Sequence, residues 1–249
     1  MKLERIAELL EGVWGMAPRE GKIVYEFIRD AKVRNVLELG FANGASTMYL
    51  AAAVDEVGGG SILTMDNQSA RARKPNILDL MEKTGLGKYV TPVFADASYS
   101  WELMKLLERE VQPRFDFVFI DGAHTWEVDG LAFFVVDRFL RPGGWILFDD
   151  LEWTLGGGGM KDVPWVKELP VEQRGTPQIE KVFDLLVKRH PNYTNFRRYA
   201  NWGWAQKKAE AGAEDATAAI LDSTYDRMGA AARAGKFVNR VLHKIRTGR

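Results

Sequence analysis

Residues Asn35 to Leu50 read NVLELGFANGASTMYL. Val36-Leu37-Glu38-Leu39 predicts a buried strand. Gly40-Phe41-Ala42-Asn43-Gly44 predicts a tight turn, and Ala45-Ser46-Thr47 opens a helix. Glycine permits backbone angles and close approaches that a Cβ forbids. The first turn of a helix after such a loop carries unpaired N–H groups and the positive end of the helix dipole. In an open α/β sheet the crevice at the carboxyl end of the first strand is where ligands bind. Many α/β proteins use a lone glycine turn only to turn, so the meaning of this one depends on its surroundings.

Outward from it, strands and helices alternate. Ser61 to Met65 predicts a second strand ending in Asp66, and Lys74 to Thr84 a helix. Val90 to Phe94 predicts a third strand ending in Ala95-Asp96-Ala97-Ser98, and Trp101 to Val111 a helix. Phe115 to Ile120 is a continuous apolar strand ending in Asp121-Gly122-Ala123-His124, followed by a helix over Glu127 to Leu140. Arg141-Pro142-Gly143-Gly144 predicts a turn and Trp145 to Phe148 a fifth strand ending in Asp149-Asp150. Alternation of this kind builds right-handed βαβ units and a parallel sheet covered on both faces. Leu151 to Pro177 reads as a long glycine- and proline-bearing connection, and loops of that length are functional or disordered. A helix over Ile179 to Arg189 precedes two strands, Tyr193 to Tyr199 and Trp202 to Lys207, joined at Ala200-Asn201 into an antiparallel hairpin.

The fold class is therefore α/β: a Rossmann-like, doubly wound, mostly parallel seven-stranded sheet with a C-terminal antiparallel hairpin and helical extensions at both ends. Residues 1–33 form a helical leader with Leu3, Ile6, Leu9 and Leu10 on one face; residues 34–208 form the core; residues 209–249 form a C-terminal helical extension. The leader either packs over the mouth of the crevice or is a plain packing pair. No acid follows Asp226, so Met228 to Arg249 predicts a basic amphipathic helix. Its apolar side docks on the body or on a second subunit, or its charge meets phosphates or an anionic membrane.

Bulk properties narrow the field. The chain has 249 residues, with Lys+Arg and Asp+Glu both 34, so no global charge draws it to nucleic acid. It has no cysteine, which excludes disulfides, thiolate zinc sites and cysteine nucleophiles. No apolar run reaches the roughly 20 residues that span a bilayer, and the charged, amphipathic start is no secretion signal. A cytoplasmic protein is the expectation.

A parallel sheet delivers the last residue of every strand to one rim. Here those residues are Glu38, Asp66, Asp96, Asp121, Asp149 and Asp150. Any one Asp is accounted for by helix capping; the set is not. Asp66 has the place of the acid that accepts hydrogen bonds from a ribose diol, and Asp96 lies where an adenine amino group would sit. Asp121, Asp149 and Asp150 end strands that one crossover helix joins, hence neighbours about 4.8 Å apart. Carboxylates that close repel unless protonated or neutralised. Oxygen ligands without cysteine suit Mg²⁺, with Mn²⁺ or Ca²⁺ as alternatives; the competing account has Asp150 capping the next loop and no metal. His124, one of three histidines, reads as a general base, a metal ligand or a neighbour of a helix cap.

VLELGFANGAST, ILTMD, FADAS, FDFVFIDGAHTWE, LRPGGWILFDD and the terminal hairpin together resemble the class I S-adenosylmethionine-dependent methyltransferases. Within them the likeness is to the small metal-dependent O-methyltransferases of the catechol and macrocin groups, over about Gly15 to Lys207. The resemblance implies that Glu38, Gly40, Ala42 and Gly44 surround the methionine moiety, with Ser46 in the helix turn that follows. It implies ribose binding by Asp66 and adenine contacts by Asp96 and Ala97. It implies metal binding by Asp121, Asp149 and Asp150, with Asp121 and His124 as catalytic residues. Ala42 replaces a frequent glycine. Asp150 stands where the catechol group has Asn, which is nearer the macrocin group with its sugar acceptors, and His124 falls near the catechol group's catalytic lysine. The implied reaction is Mg²⁺-assisted methyl transfer from S-adenosylmethionine to a hydroxyl of a small molecule, under a lid carrying Trp153 and Trp165. A homo-oligomer is expected. The rivals are a nicotinamide-dependent oxidoreductase, opposed by the hairpin and by the lack of any Tyr-x-x-x-Lys pair, a nucleic-acid methyltransferase, opposed by the acidic rim, and a cofactor-binding module without turnover.

Overall fold

Why the chain folds as it does is clearest at its centre. In the computed structural model, which describes residues 1–109, 112–157, 159–209 and 216–230, β1 (Asn35–Leu39) pairs in parallel with β2 (Ser61–Asn67) on one side and β4 (Phe115–Ile120) on the other. β3 (Val90–Ala95) extends the β2 edge and β5 (Leu140–Phe148) the β4 edge, again in parallel. β7 (Trp202–Lys207) pairs antiparallel with β5, and β6 (Tyr193–Tyr199) antiparallel with β7. The seven-stranded order is β3-β2-β1-β4-β5-β7-β6. The wedged antiparallel β7 separates this sheet from the dinucleotide-binding one, whose order runs 3-2-1-4-5-6.

Alternating side chains feed two cores. Val36, Phe117, Phe119, Trp145, Leu147 and Trp204 face one layer, with α1 (Leu3–Leu9), α2 (Pro18–Asp30) and α3 (Ala45–Glu56). Leu37, Leu39, Val118, Ile120, Ile146 and Phe148 face the other, with α5 (Tyr99–Arg109), α6 (Trp126–Asp137) and α9 (Gln178–Lys181). Both faces are covered, so the middles of β1 and β4 are apolar except at Glu38.

The expected helix from Lys74 starts later. A 3₁₀ turn covers Gln68–Ala72, and α4 (Ile77–Thr84) begins after Asn76. The residue before Pro75 is disfavoured in the α region. Asn76 Oδ1 accepts from Leu78 N and Asp79 N while Asp79 Oδ2 accepts from Asn76 N, a reciprocal cap. The expected turn at Arg141–Gly144 is an irregularity inside β5: Leu140 pairs with Phe115 and Trp145 with Phe117. α6 stops at Asp137, three residues short of the expectation, because Leu140 is taken by the sheet. The Leu151–Pro177 connection carries two short helices, α7 (Pro164–Glu168) and α8 (Val171–Gly175), and α9 continues as a π-helical turn over Val182–Val187. Residues 217–230 form α10, which packs on the hairpin. Arg197 pairs with Asp222 at 2.8 and 3.0 Å, and Tyr199 stacks on Tyr225 with ring centroids 3.5 Å apart. The basic stretch expected beyond Met228 lies, from residue 231, outside the described residues. Among the described residues no helix is long and apolar enough to cross a membrane.

Candidate active site

β1 ends at the glycine turn, and the turn is shaped first by the protein's own packing. Gly40 has φ +89°, and a Cβ there would meet the Asp121 carbonyl oxygen at 1.8 Å. Gly44, at φ +97°, caps α3, and its Cβ would meet Ile77 at 2.9 Å. Both positions need glycine because β1 and β4 end flush and α4 leans on the turn. Ala42 has φ +48°. Its N–H and that of Phe41 donate to Asp66 Oδ2 at 2.7 and 3.0 Å, so the carboxylate at the end of β2 props the turn. Asp66 Oδ1 accepts from Asn67 N at 2.7 Å. Ser46 is buried in the first turn of α3. Asp96, with exposed Ala97 beside it, accepts from Gln68 Nε2 at 2.8 Å.

Among the described residues of the central strands, Glu38 is the buried charged group. It is fully buried, and its Oε2 accepts from Thr47 Oγ1 at 2.5 Å and Thr64 Oγ1 at 2.6 Å. Its Oε1 is buried without a hydrogen-bond partner. Burial pushes its pKa up to about 7, with the hydroxyl donors pulling the other way. The leader reaches this end of the molecule: the Arg73 guanidinium lies 5.2 Å from the Trp14 ring and donates to Asn43 Oδ1 at 3.3 Å.

β4 and β5, adjacent in the sheet, end at Asp121 and at Asp149-Asp150. Ligand atoms of Asp121, His124 and Asp150 lie within 4.8 Å of one another, the group of this kind found among the described residues. His124 Nε2 is 3.7 Å from both Asp121 Oδ1 and Asp150 Oδ2. Asp149 stands beside this group with its Oδ1 taken by Trp202 Nε1 at 2.7 Å and Asp150 N at 2.6 Å. Burial and then the Asp149 and Asp150 charges raise Asp121 well above the usual carboxylate range. Burial and then Asp150 push Asp149 up to about 7. Like charges crowded into a part-buried rim produce shifts of this sign, and a cation among them would reverse it.

Two of these residues hold left-handed backbone, His124 at φ +55° and Asp150 at φ +56°. Such angles cost free energy outside glycine and persist only where the surroundings impose them. At His124 the surroundings are a buried strap. Tyr99 Oη donates to Asp129 Oδ1 and accepts from Ala123 N at 3.0 Å, while Asp129 Oδ2 accepts from Thr125 N at 3.2 Å. The Trp153 ring lies 4.9 Å from the His124 ring, on the loop that leaves β5. Trp165, on α7, is 44% exposed. Neither Tyr99 nor Asp129 stood out in the sequence, because an aromatic and an acid at helix starts read as packing and capping. The signal available was Asp129 itself, an acid on the buried face of α6.

A seven-stranded sheet closed by an antiparallel hairpin is a fold that solved methyltransferases share. Residues 37–151 match the family model described as a methyltransferase domain. That span is under half of the chain, and with the ordered motifs that run through it the chain is similar to the class I S-adenosylmethionine-dependent methyltransferases. No curated protein matches it in sequence. Among solved structures, the O-methyltransferase TomG from Streptomyces achromogenes, involved in tomaymycin synthesis and in complex with SAM, shares 19% identity at a TM-score of 0.59. That alignment covers 83% of this chain and 89% of that one. An O-methyltransferase from Bacillus cereus in complex with SAH shares 20% identity over 83% of this chain and 90% of that one, at a TM-score of 0.59. MycE, a methyltransferase of the mycinamycin biosynthetic pathway in complex with Mg and SAH, shares 19% at a TM-score of 0.51, over 84% of this chain and 56% of that one. At these identities the likeness is one of fold.

Proposed function

We propose that this chain transfers the methyl group of S-adenosylmethionine to a hydroxyl of a small molecule, a sugar or natural-product hydroxyl, with Mg²⁺ bound at the rim. The observation that carries the proposal is the convergence of Asp121, His124 and Asp150 within 4.8 Å at the end of the strand beside the glycine turn. The MycE structure, with its Mg and SAH, supports the same pairing of a cation and a nucleoside on this fold.

The cofactor side rests on Glu38, Gly40, Ala42, Gly44 and Ser46 around the methionine part and on Asp66, Asp96 and Ala97 around the ribose and adenine. The Glu38 Oε1, buried and without a partner, is an acceptor that suits an ammonium group. Asp66 has half of its carboxylate engaged with the turn, so its share in ribose binding would come from the remaining lone pairs. S-adenosylmethionine supplies a sulfonium methyl that a positioned oxygen attacks in line.

Asp121, Asp149 and Asp150 would hold the cation, and their oxygens suit Mg²⁺. Bound there, a divalent cation supplies Lewis acidity that lowers the pKa of the acceptor hydroxyl and orients it. His124 would accept the hydroxyl proton, and Asp121 would keep its imidazole oriented. Direct ligation by His124 Nε2 is the second reading, favoured by its 3.7 Å separation from both carboxylates; an imidazole ligand would shift preference toward Mn²⁺. Trp153 beside His124 would close one wall of the acceptor site and keep water out. The helical leader and the C-terminal extension would be additions to the core, packed against its sheet. A homo-oligomer, a cytoplasmic location and the absence of a nucleic-acid substrate complete the proposal.

Calorimetry should find S-adenosylhomocysteine binding and no NAD binding. Labelled S-adenosylmethionine with a library of sugar and natural-product hydroxyls should give product with Mg²⁺ and none in excess EDTA. Asp121→Ala should abolish turnover and metal binding together. Full turnover in EDTA removes the metal from the proposal, and absence of transfer to any hydroxyl removes the reaction.

A further inference from the structure

We propose that Asn201 and Trp202, the last turn residue of the β6–β7 hairpin and the first residue of β7, are positioning residues that aim the Asp149–Asp150 pair. The inference rests on the metal-assisted reading above and adds residues that this reading does not use. It starts from sheet register. β7 runs antiparallel to β5, with Gly203 opposite Phe148. One step further along each strand therefore sets Trp202 opposite Asp149, and the next sets Asn201 opposite Asp150. A parallel strand reaches the same rim only with its other end, after a crossover of a dozen residues or more. The antiparallel hairpin brings a two-residue turn there instead.

The contacts follow the register. Trp202 Nε1 donates to Asp149 Oδ1 at 2.7 Å, and Asn201 Nδ2 donates to Asp150 Oδ1 at 2.8 Å. Asn201 Oδ1 accepts from Glu152 N at 2.6 Å, and its carbonyl accepts from Leu151 N at 2.9 Å. Two consecutive residues at the tip of the hairpin thus grip four consecutive residues, Asp149 to Glu152. Trp202 is only 3% exposed, so its indole cannot swing away. The grip also accounts for the left-handed Asp150, whose φ of +56° needs outside support.

The donors are uncharged. An arginine or lysine in their place would neutralise the pair and compete with a cation. An amide and an indole fix one oxygen of each carboxylate and leave the negative charge intact. In each acid it is Oδ1 that the hairpin tip occupies. The Oδ2 of Asp150 is the oxygen that faces His124 Nε2 at 3.7 Å. Groups that hydrogen-bond to metal ligands orient them, and their loss commonly weakens metal affinity 10- to 100-fold.

The test uses the full chain and Mn²⁺ as the probe, followed through the electron paramagnetic resonance of the free ion. S-adenosylhomocysteine is titrated in parallel by calorimetry. Trp202→Phe keeps the ring and removes only the N–H; Asn201→Ala removes the other arm independently. Each variant should weaken Mn²⁺ binding about 10- to 100-fold and leave S-adenosylhomocysteine affinity within about threefold. Mn²⁺ affinity equal to wild type in both variants overturns the assignment. So does a parallel loss of both ligands, which is what a purely structural role produces. If the wild-type chain itself binds no Mn²⁺ yet binds S-adenosylhomocysteine, the metal reading fails, this inference fails with it, and the cofactor reading stands.

Discussion

Glu38 shows how one residue can carry a fold and a function at once. A carboxylate in the central strand of a covered sheet is costly unless its oxygens are satisfied. Two threonine hydroxyls serve Oε2, and Oε1 has no partner. Its folded pKa of about 7 lies above the model-compound value of 4.5, so the folded state holds this proton more tightly than the unfolded chain does. The stability it contributes is present below about pH 4.5, falls as pH rises to about 7, and is level above that. The change amounts to about 3 kcal/mol. Urea unfolding at pH 5 and pH 8 should show Glu38→Gln losing less stability over that interval than wild type; equal losses would show that Glu38 does not titrate there. The Tyr99 strap belongs to the same scale. Tyr99→Phe leaves Asp129 buried with one donor fewer and frees Ala123 N, at a cost of about 1–3 kcal/mol. Because the strap holds the His124 loop, turnover should fall with little change in S-adenosylhomocysteine affinity. A loss of stability with unchanged turnover would confine Tyr99 to a packing role.

At the level of elements, α10 is joined to the core by contacts of unequal weight. The Arg197–Asp222 pair is bidentate but its side chains are 32% and 41% exposed, and exposed pairs contribute little. Tyr225 stacks on Tyr199 and accepts from Trp204 Nε1 at 3.1 Å. Tyr225→Ala should therefore lower stability by about 2 kcal/mol and Asp222→Ala by clearly less, read from chemical denaturation; the reverse order would mean that the ion pair holds the helix. At the start of α4, Asn76→Ala removes the side chain that accepts from two backbone N–H groups and should cost about 1 kcal/mol. That cap also explains why the helix starts later than the expected Lys74: Ile77, Leu80 and Thr84 are its buried face, and Asn76 closes it immediately before them. The largely apolar strands β4 and β1 and the hairpin strands β6 and β7 were read to within a residue, because burial on both faces or a two-residue turn leaves few alternatives. The π-helical end of α9 has no comparable mark in the sequence.

For the whole molecule, binding and stability are linked. A ligand that binds only the folded chain, supplied at 100 times its dissociation constant, adds about 2.7 kcal/mol to stability. S-adenosylhomocysteine should therefore raise the melting temperature in a concentration-dependent way, and an unchanged melting curve would leave the glycine turn without its ligand.

Local pattern was enough to determine the α/β class, the strand succession, the glycine turn and the acids at the strand ends, because side-chain period and turn chemistry are properties of neighbouring residues. It also placed Asp121 beside Asp149-Asp150, since a single crossover helix leaves β4 and β5 adjacent. Which atoms meet was decided only in three dimensions. Asp66 props the turn, His124 rather than Asp149 completes the tightest cluster, and Asn201 with Trp202 grips the acid pair across fifty residues of chain. Those contacts depend on the register of antiparallel pairing and on left-handed backbone at His124 and Asp150, and both are set by packing between segments far apart in sequence.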